Sequence, residues 1–322
     1  MSQPGANAEL HLGDCRDVLP TLPDQSVHCC VTSPPYFGLR DYGHSDQIGL
    51  ELTPDEFVAE LVKVFREVRR VLRDDGTLWL NLGDSYNAAG RSGHGTRVGV
   101  KQGTNRASAA KTDVCRPSDS SLKEKNLVGI PWRVAFALQA DGWYLRQDII
   151  WHKPNPMPES VTDRCTKAHE YIFLLSKSAR YYYDGEAIKE TAARAGDFPG
   201  GGGGYIQHSA GGHCKDGLKA NGLRPVAETR NRRSAWTVAT QPYSGAHFAT
   251  FPPKLIEPCI LAGCPKDGVV FDPFTGSGTV GEMALLAGRQ FVGIELNPEY
   301  HAIAERRIRQ AGAAGHQPSL FA

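Results

Sequence analysis

The sequence predicts an α/β fold, a mostly parallel sheet with helices on both faces. Two stretches carry that expectation. Residues 27–32 (VHCCVT), a helical run opened by Thr53-Pro54-Asp55-Glu56, and residues 77–82 (TLWLNL) read as strand, helix, strand, a unit that joins parallel strands. Near the other end, residues 269–271, a glycine-rich turn at 272–279, a helix to about Gly288 and a strand at 290–295 repeat that order.

The elements follow in sequence. Residues 9–13 (ELHLG) alternate apolar and polar side chains and meet Asp14, as a short strand ending in an acid does. The strand at 27–32 must stop at Ser33-Pro34-Pro35-Tyr36, because prolines donate no ladder hydrogen bonds. Thr53 is a helix cap, Pro54 suits the first helical position and Glu56 closes a capping box. Val58, Leu61, Val62, Phe65, Val68 and Leu72 then share a helical face, and the helix is expected to end near Asp75-Gly76. A helix from Pro131 to Gly142 and strands at 144–151 and 170–176 come next. The last third holds a helix at 253–262, the glycine turn, and a final helix capped by Asn297 with Pro298 behind it.

Two stretches break the pattern. Residues 88–125 are rich in Gly, Ser, Thr and Asn, and place Arg91, Arg97, Lys101, Arg106, Lys111, Arg116, Lys123 and Lys125 against only three acids. Residues 187–247 contain five consecutive glycines and Lys215, Lys219, Arg224, Arg230, Arg232 and Arg233. The expected organisation is therefore one half-domain at 1–86, a mobile basic insertion at 87–126, the rest of that half at 127–186, a target-recognition region at 187–246, and a second half at 247–322.

Lys and Arg number 36 against 35 Asp and Glu, so polyanion affinity must come from local segregation of charge rather than from the net +1. There is no run of 18 apolar residues and no basic-then-apolar leader, so no membrane association and a cytoplasmic location are expected. The eight cysteines form no C-x-x-C pair, which suits reduced thiols. His208, His213 and Cys214 fit no common zinc spacing, and no metal is expected.

Gly276 and Gly278 let the backbone approach a ligand closely, the next helix start offers free N–H groups, and Glu295 at a strand tip is placed to accept from two ribose hydroxyls. That is an adenosine half-site. Gly276, Gly278 and Gly281 also satisfy the dinucleotide spacing. Asp272 separates the readings, because a carboxylate repels a pyrophosphate and suits the ammonium and sulfonium of S-adenosylmethionine. Ser33 to Tyr36 add a second chemistry. Rigid prolines can aim the carbonyls of Ser33 and Pro34 at an amino group, and Tyr36 offers a flat face for a base.

Together the two motifs resemble the amino-methylating DNA methyltransferases that act on cytosine N4 or adenine N6. Because the tetrapeptide precedes the glycine turn, the chain is similar to the permuted β class of that family, with its Rossmann-like S-adenosylmethionine fold. The resemblance implies a catalytic motif at Ser33, Pro34, Pro35 and Tyr36, and a cofactor site of Asp272, Phe274, Gly276, Gly278, Thr279 and Glu295. His247 through Leu261 resembles the segment beside the methionine end of the cofactor and brings in Phe251. Trp151-His152-Lys153-Pro154 is similar to the motif beside the target pocket. Expected DNA contacts are Lys153, Arg91, Arg97, Lys101, Arg230, Arg232 and Arg233.

The permutation has a testable corollary. A nucleotide-binding half needs three strands, and only one follows Asp272, so the strand at 9–13 should supply the third and set Asp14 near Glu295 and the adenine amino group. Within the family, Ser at the first tetrapeptide position is typical of N4-cytosine enzymes, which tilts Ser33 toward cytosine. Pro258-Cys259 resembles the dipeptide of C5-cytosine enzymes but sits in an apolar helical run, so a buried structural thiol is expected. Expected partners are double-stranded DNA and a cognate restriction endonuclease, with the chain a monomer or homodimer. The rival functions are RNA or protein-amide methylation, a nicotinamide oxidoreductase and an inactive DNA-binding regulator.

Overall fold

A computed structural model describes residues 7–38, 47–87, 122–192, 229–241 and 252–314. Residues 88–121 of the first insertion, with Arg91, Arg97 and Lys101, lie outside the described residues, as do Phe251, the glycine run, His208, His213 and Cys214.

One eight-stranded sheet organises the chain. Its strands are β1 (Ala8–Leu12), β2 (Val27–Thr32), β3 (Leu72–Leu82), β4 (Tyr144–His152), β5 (His169–Ser176), β8 (Ala235–Thr237), β9 (Val269–Asp272) and β10 (Gln290–Glu295). They lie in the order β1-β10-β9-β2-β3-β5-β4-β8, and β6 (Glu190–Thr191) pairs with β7 (Thr229–Arg230) apart from it. All pairs from β1 to β3 are parallel, β5 runs antiparallel to both β3 and β4, and β8 is parallel to β4.

The helices are α1 (Cys15–Val18), α2 (Pro54–Val71), α3 (Ile130–Ala140), α4 (Pro253–Gly263), α5 (Thr279–Leu286) and α6 (Pro298–Ala314). One apolar cluster packs α2 and α3 on one face of the sheet, and a second packs α4, α5 and α6 on the other. Helices on both faces bury parallel strands from both sides, which explains the nearly continuous apolar runs of β2 and β9.

The strand placement expected from the permutation is found. β1 lies parallel to β10 in register, with Leu12 opposite Glu295, and Gly13 N–H donates to the Glu295 carbonyl at 2.9 Å. The early strand thus completes the sheet half built by the last elements.

The capping box forms as expected: Thr53 Oγ1 accepts from Glu56 N–H at 3.2 Å, and Glu56 Oε2 accepts from Thr53 N–H at 3.1 Å. The helix nevertheless ends at Val71, earlier than the sequence suggests. Leu72 pairs with Val27, and the Arg70 carbonyl accepts from Gln25 N–H, so strand pairing takes over a segment whose local pattern still reads helical. The buried stripe of α2 is Phe57, Leu61, Val64, Phe65, Val68 and Val71, while Val58 and Val62 border the seam with α3. α3 is preceded by Gly129, a left-handed N-cap residue at φ +79°; the Asp84 carboxylate caps the helix remotely, accepting from Gly129 and Ile130 N–H at 2.9 and 3.0 Å.

Candidate active site

Moving outward from the centre of the sheet, the chain leaves β9 toward β10 and leaves β2 toward β3. The carboxyl ends of β9 and β2 therefore flank a topological switch point, where open α/β sheets hold ligands. Both sequence motifs sit there.

On the β9 side, Asp272 is 1% exposed. Its Oδ1 accepts from Thr32 Oγ1 at 2.6 Å and from Phe274 N–H at 3.0 Å. Thr32 immediately precedes Ser33, so this hydrogen bond ties the tetrapeptide to the glycine turn across 240 residues. Burial pushes the Asp272 carboxyl up to about 7, against the opposing pull of those two donors. Glu295, at the tip of β10, is also buried. Its Oε2 accepts from Gly276 N–H at 2.7 Å and its Oε1 from Asn297 N–H at 2.8 Å, so it fixes the turn from the neighbouring strand. Burial raises its carboxyl to about 7 as well.

The three glycines of the turn differ in role. A side chain on Gly276, at φ +55°, would meet only the Phe274 carbonyl at 3.9 Å, so space for a ligand opens above it. A Cβ on Gly278 would lie 2.9 Å from Ala304 Cα, and one on Gly281 would lie 2.6 Å from Ile308. Those two admit α6 rather than a ligand. Thr279 is buried, and its hydroxyl accepts from Arg307 at 2.8 Å, which also holds Ser277 and Glu282. Phe274 packs partly against the core. Asp14 follows β1 at the same sheet edge as Glu295; its carboxylate caps α1 and pairs with Arg16 at 2.6 Å.

On the β2 side, Pro34 is buried and Ser33, Pro35 and Tyr36 are half-buried. Phe37 anchors the motif from behind, buried against Phe57 with ring centroids 5.5 Å apart. The Tyr36 ring lies against Gly83: a Cβ there would come within 2.5 Å of Tyr36 Cε2. The Tyr36 hydroxyl donates to Glu170 Oε2 at 2.8 Å and approaches Asn81 Oδ1 at 3.2 Å. Asn81 is itself oriented by donating to the Tyr171 carbonyl at 3.0 Å.

The expected DNA contacts within the described residues fall in two places. Lys153 pairs with Glu170 and lies 4.3 Å from the centroid of the Trp151 ring, so it points inward. Arg230 and Arg233 both donate to Glu190 Oε1, at 2.8 and 2.7 Å. Arg232 stacks over Trp236 at 4.7 Å. Cys259 is 1% exposed with burial raising its thiol well above the ordinary range, which makes it unreactive. Thr32, Asn81, Gly83 and Glu170 escaped the sequence reading as functional residues. Asn81 alone left a signal, as a polar residue inside the apolar run of β3.

An acid-tipped glycine turn beside a Pro-Pro-Tyr corner, at the parallel side of an open sheet, suits a group-transfer enzyme that moves a group from an adenosine cofactor to a planar amino substrate. The chain belongs to the DNA methylase family of the N6/N4 type, whose profile matches residues 27–306, and is an amino-methylating DNA methyltransferase. It is 50% identical over 302 residues to the type II methyltransferase M.Cfr9I of Citrobacter freundii, covering 94% of this chain and 88% of that one. It is 46% identical to M.SmaI of Serratia marcescens, covering 94% and 91%. The fold matches the cytosine-N4-specific PvuII DNA methyltransferase with a TM-score of 0.60 at 18% identity, covering 99% of this chain and 89% of that one. It matches TTHA0409 of Thermus thermophilus, complexed with S-adenosyl-L-methionine, with a TM-score of 0.55 at 23% identity and 94% coverage of each.

Proposed function

We propose that the chain transfers a methyl group from S-adenosylmethionine to the N4 amino group of a cytosine in duplex DNA. The observation that carries this is the Thr32–Asp272 hydrogen bond, which brings a base-binding corner and a cofactor turn to one crevice. The residues fit the cofactor. Glu295 is oriented by backbone amides and retains lone pairs for ribose hydroxyls. The turn is open above Gly276, and Asp272 supplies a carboxylate that suits a cationic ligand better than a pyrophosphate. When bound, S-adenosylmethionine offers an electrophilic methyl on a positively charged sulfur. Ser33 at the head of the tetrapeptide favours cytosine over adenine, and the cytosine-N4 specificity of the PvuII enzyme is in keeping with it.

The chain's own work is binding and orientation. The target base flips out and stacks on Tyr36. The carbonyls of Ser33 and Pro34 accept the amino protons, so the nitrogen lone pair turns away from the ring and toward the methyl carbon. No strong base is needed, because the methylated ammonium is acidic and releases its proton to water after the N–C bond forms. Positioning and these hydrogen bonds supply most of the rate. The type II names of the relatives support a cognate restriction endonuclease as the biological partner. Labelled methyl transfer to duplex DNA followed by nucleoside analysis tests the proposal: N4-methylcytosine is expected, N6-methyladenine would move the target to adenine, and label on cytosine C5 would reject amino methylation.

Two further results are expected. The folded-state carboxyls of Asp272 and Glu295 titrate near 7, above their ordinary 3.8 and 4.5. Between those values the folded protein holds protons that the unfolded chain has released, so this contribution to ligand-free stability declines as pH rises toward 7. Ribose hydroxyls and a cationic ligand favour the ionised carboxylates. Cofactor affinity should therefore increase as pH rises through 7, with protons released on binding. Calorimetry at pH 6.5 in buffers of different ionisation enthalpy measures this, and buffer-independent heats would contradict it.

The second concerns DNA. Arg230 and Arg233 must exchange Glu190 for phosphates, whereas Arg232 is committed to Trp236. Replacing Arg230, Arg232 and Arg233 together with Ala should lower the salt slope of duplex binding by about 2, one unit for each phosphate left without its arginine. Anisotropy titrations across a salt series read the slope, and an unchanged value removes this surface from the interface.

A further inference from the structure

Side chains from β3, β4 and β5 meet on one sheet face beneath Tyr36. Strand register puts Glu170 opposite Trp151 and Asn81 opposite Ile172, so Asn81, Trp151, Lys153 and Glu170 alternate onto that common face. Glu170 is the junction. Its Oε2 accepts from the Tyr36 hydroxyl at 2.8 Å and from Asn81 Nδ2 at 3.4 Å, and its Oε1 pairs with Lys153 Nζ. The Glu170 and Lys153 side chains are only 15% and 17% exposed. Lys153 is further held by the Trp151 ring and by its backbone N–H, which donates to the Ala168 carbonyl at 2.8 Å and closes the β4–β5 connection.

A largely buried carboxylate needs a compensating charge, and a largely buried ammonium likewise. The pair therefore exists as a unit, and the strongest use of its remaining bonding capacity is the phenol of Tyr36. A Tyr ring has two side-chain torsions. Gly83 limits the ring on one side, and the hydroxyl anchor fixes its far end, so the plane of the ring is set before any base arrives.

Resting on the reading of Tyr36 as the stacking platform, we infer that Glu170 and Lys153 are positioning residues for methyl transfer, acting through the Tyr36 hydroxyl. Lys153 serves the platform and not the DNA backbone. A charge-assisted hydrogen bond holds better than a neutral one, so the platform keeps its angle while a base is drawn from the duplex and seated. A platform that tilts misaligns the amino nitrogen with the methyl carbon, and the resulting deficit falls on kcat rather than on cofactor affinity.

A double-mutant cycle in the full chain tests this. Tyr36→Phe and Glu170→Ala should each lower kcat about 10- to 150-fold, in the range for losing a hydrogen bond to a charged partner, with S-adenosylhomocysteine affinity unchanged. The double variant should be no slower than the slower single variant, since both remove the same bond. Glu170→Gln retains an acceptor oxygen and should recover most of kcat; where the Ala variant folds poorly, Glu170→Met, which keeps most of the volume and offers no oxygen acceptor, takes its place in the cycle. Lys153→Met should lower kcat and leave the salt slope of DNA binding unchanged. Multiplicative effects in the cycle would overturn the inference while leaving amino methylation intact. So would a Lys153→Met variant with normal kcat and a slope reduced by about one, the mark of a lysine that had been neutralising a phosphate. Full activity in Tyr36→Ala would overturn the inference together with the reading of Tyr36 on which it rests.

Discussion

Tyr36→Ala is expected to reduce methyl transfer to duplex DNA about 5- to 150-fold, equivalent to about 1–3 kcal/mol of base stacking, while binding S-adenosylhomocysteine as the wild type does. The two effects separate because Tyr36 stands on the β2 side of the crevice, whereas the cofactor turn is fixed by Glu295 and Asp272 from β10 and β9. The substitution removes the ring that receives the base and leaves Phe37, Pro34 and the Thr32–Asp272 bond to hold the corner. The reduction should be smaller on a substrate whose target base is mispaired, since less stacking and pairing energy must then be replaced. Steady-state kinetics on matched and mispaired duplexes, with calorimetry for the cofactor product, supply the readouts. An unchanged rate would show that the base stacks elsewhere.

Glu295→Ala should weaken cofactor binding by about 1.5–3 kcal/mol, the range for losing hydrogen bonds to a charged group. Two effects combine in that figure. The ribose acceptor disappears, and the N–H groups of Gly276 and Asn297 are deprived of the carboxylate that orients the turn. The ligand-free protein should suffer less. Burial raises the Glu295 carboxyl to about 7, which means that its ionised form is poorly accommodated without a ligand at pH 8. Removing it relieves that cost in part. A near-normal melting temperature at pH 8 with sharply weakened affinity is therefore the expected combination. Unchanged affinity would end the ribose role.

What could be read in advance was whatever short segments encode. A capping box, a Pro-Pro corner after a strand and a glycine turn before a helix are each decided by neighbours in sequence, and each stands where the residues placed it. The parallel half followed from two such units, and the seat of β1 followed from the strand that half still lacked. Non-local facts were hidden. Nothing near β5 says that it runs antiparallel between β3 and β4, because that depends on how the β4–β5 connection closes. Glu170 meets Tyr36 across 134 residues, and Thr32 meets Asp272 across 240. Charge was the least legible property. Lys153 and Arg232 read as candidates for phosphate, but an aromatic ring lies under each, and a long cationic side chain with an apolar stem is well suited to such a seat. The C-terminal turns of α2 show the same limit: its helical pattern persists to residue 75, yet pairing of Leu72 with Val27 prevails.

The seat of β1 against β10 also governs how the molecule is assembled during synthesis. Ala8 leaves the ribosome long before its partner Phe291, with every other strand of the sheet emerging in between. The half that includes β2 and β3 can condense early, since α2 links two adjacent strands. The half that carries Asp272 and Glu295 must wait, with β1 tethered nearby as an unpaired edge. Closing so long a loop costs little more than closing one half as long, about 0.6 kcal/mol per doubling, so the delay is one of timing and not of equilibrium. During that interval the exposed strand is open to pairing with other nascent chains. Joining residue 314 to residue 7 through a short linker and opening the chain instead within residues 88–121 would make β1 and β10 near neighbours in sequence, and would shorten the period in which that edge stands bare.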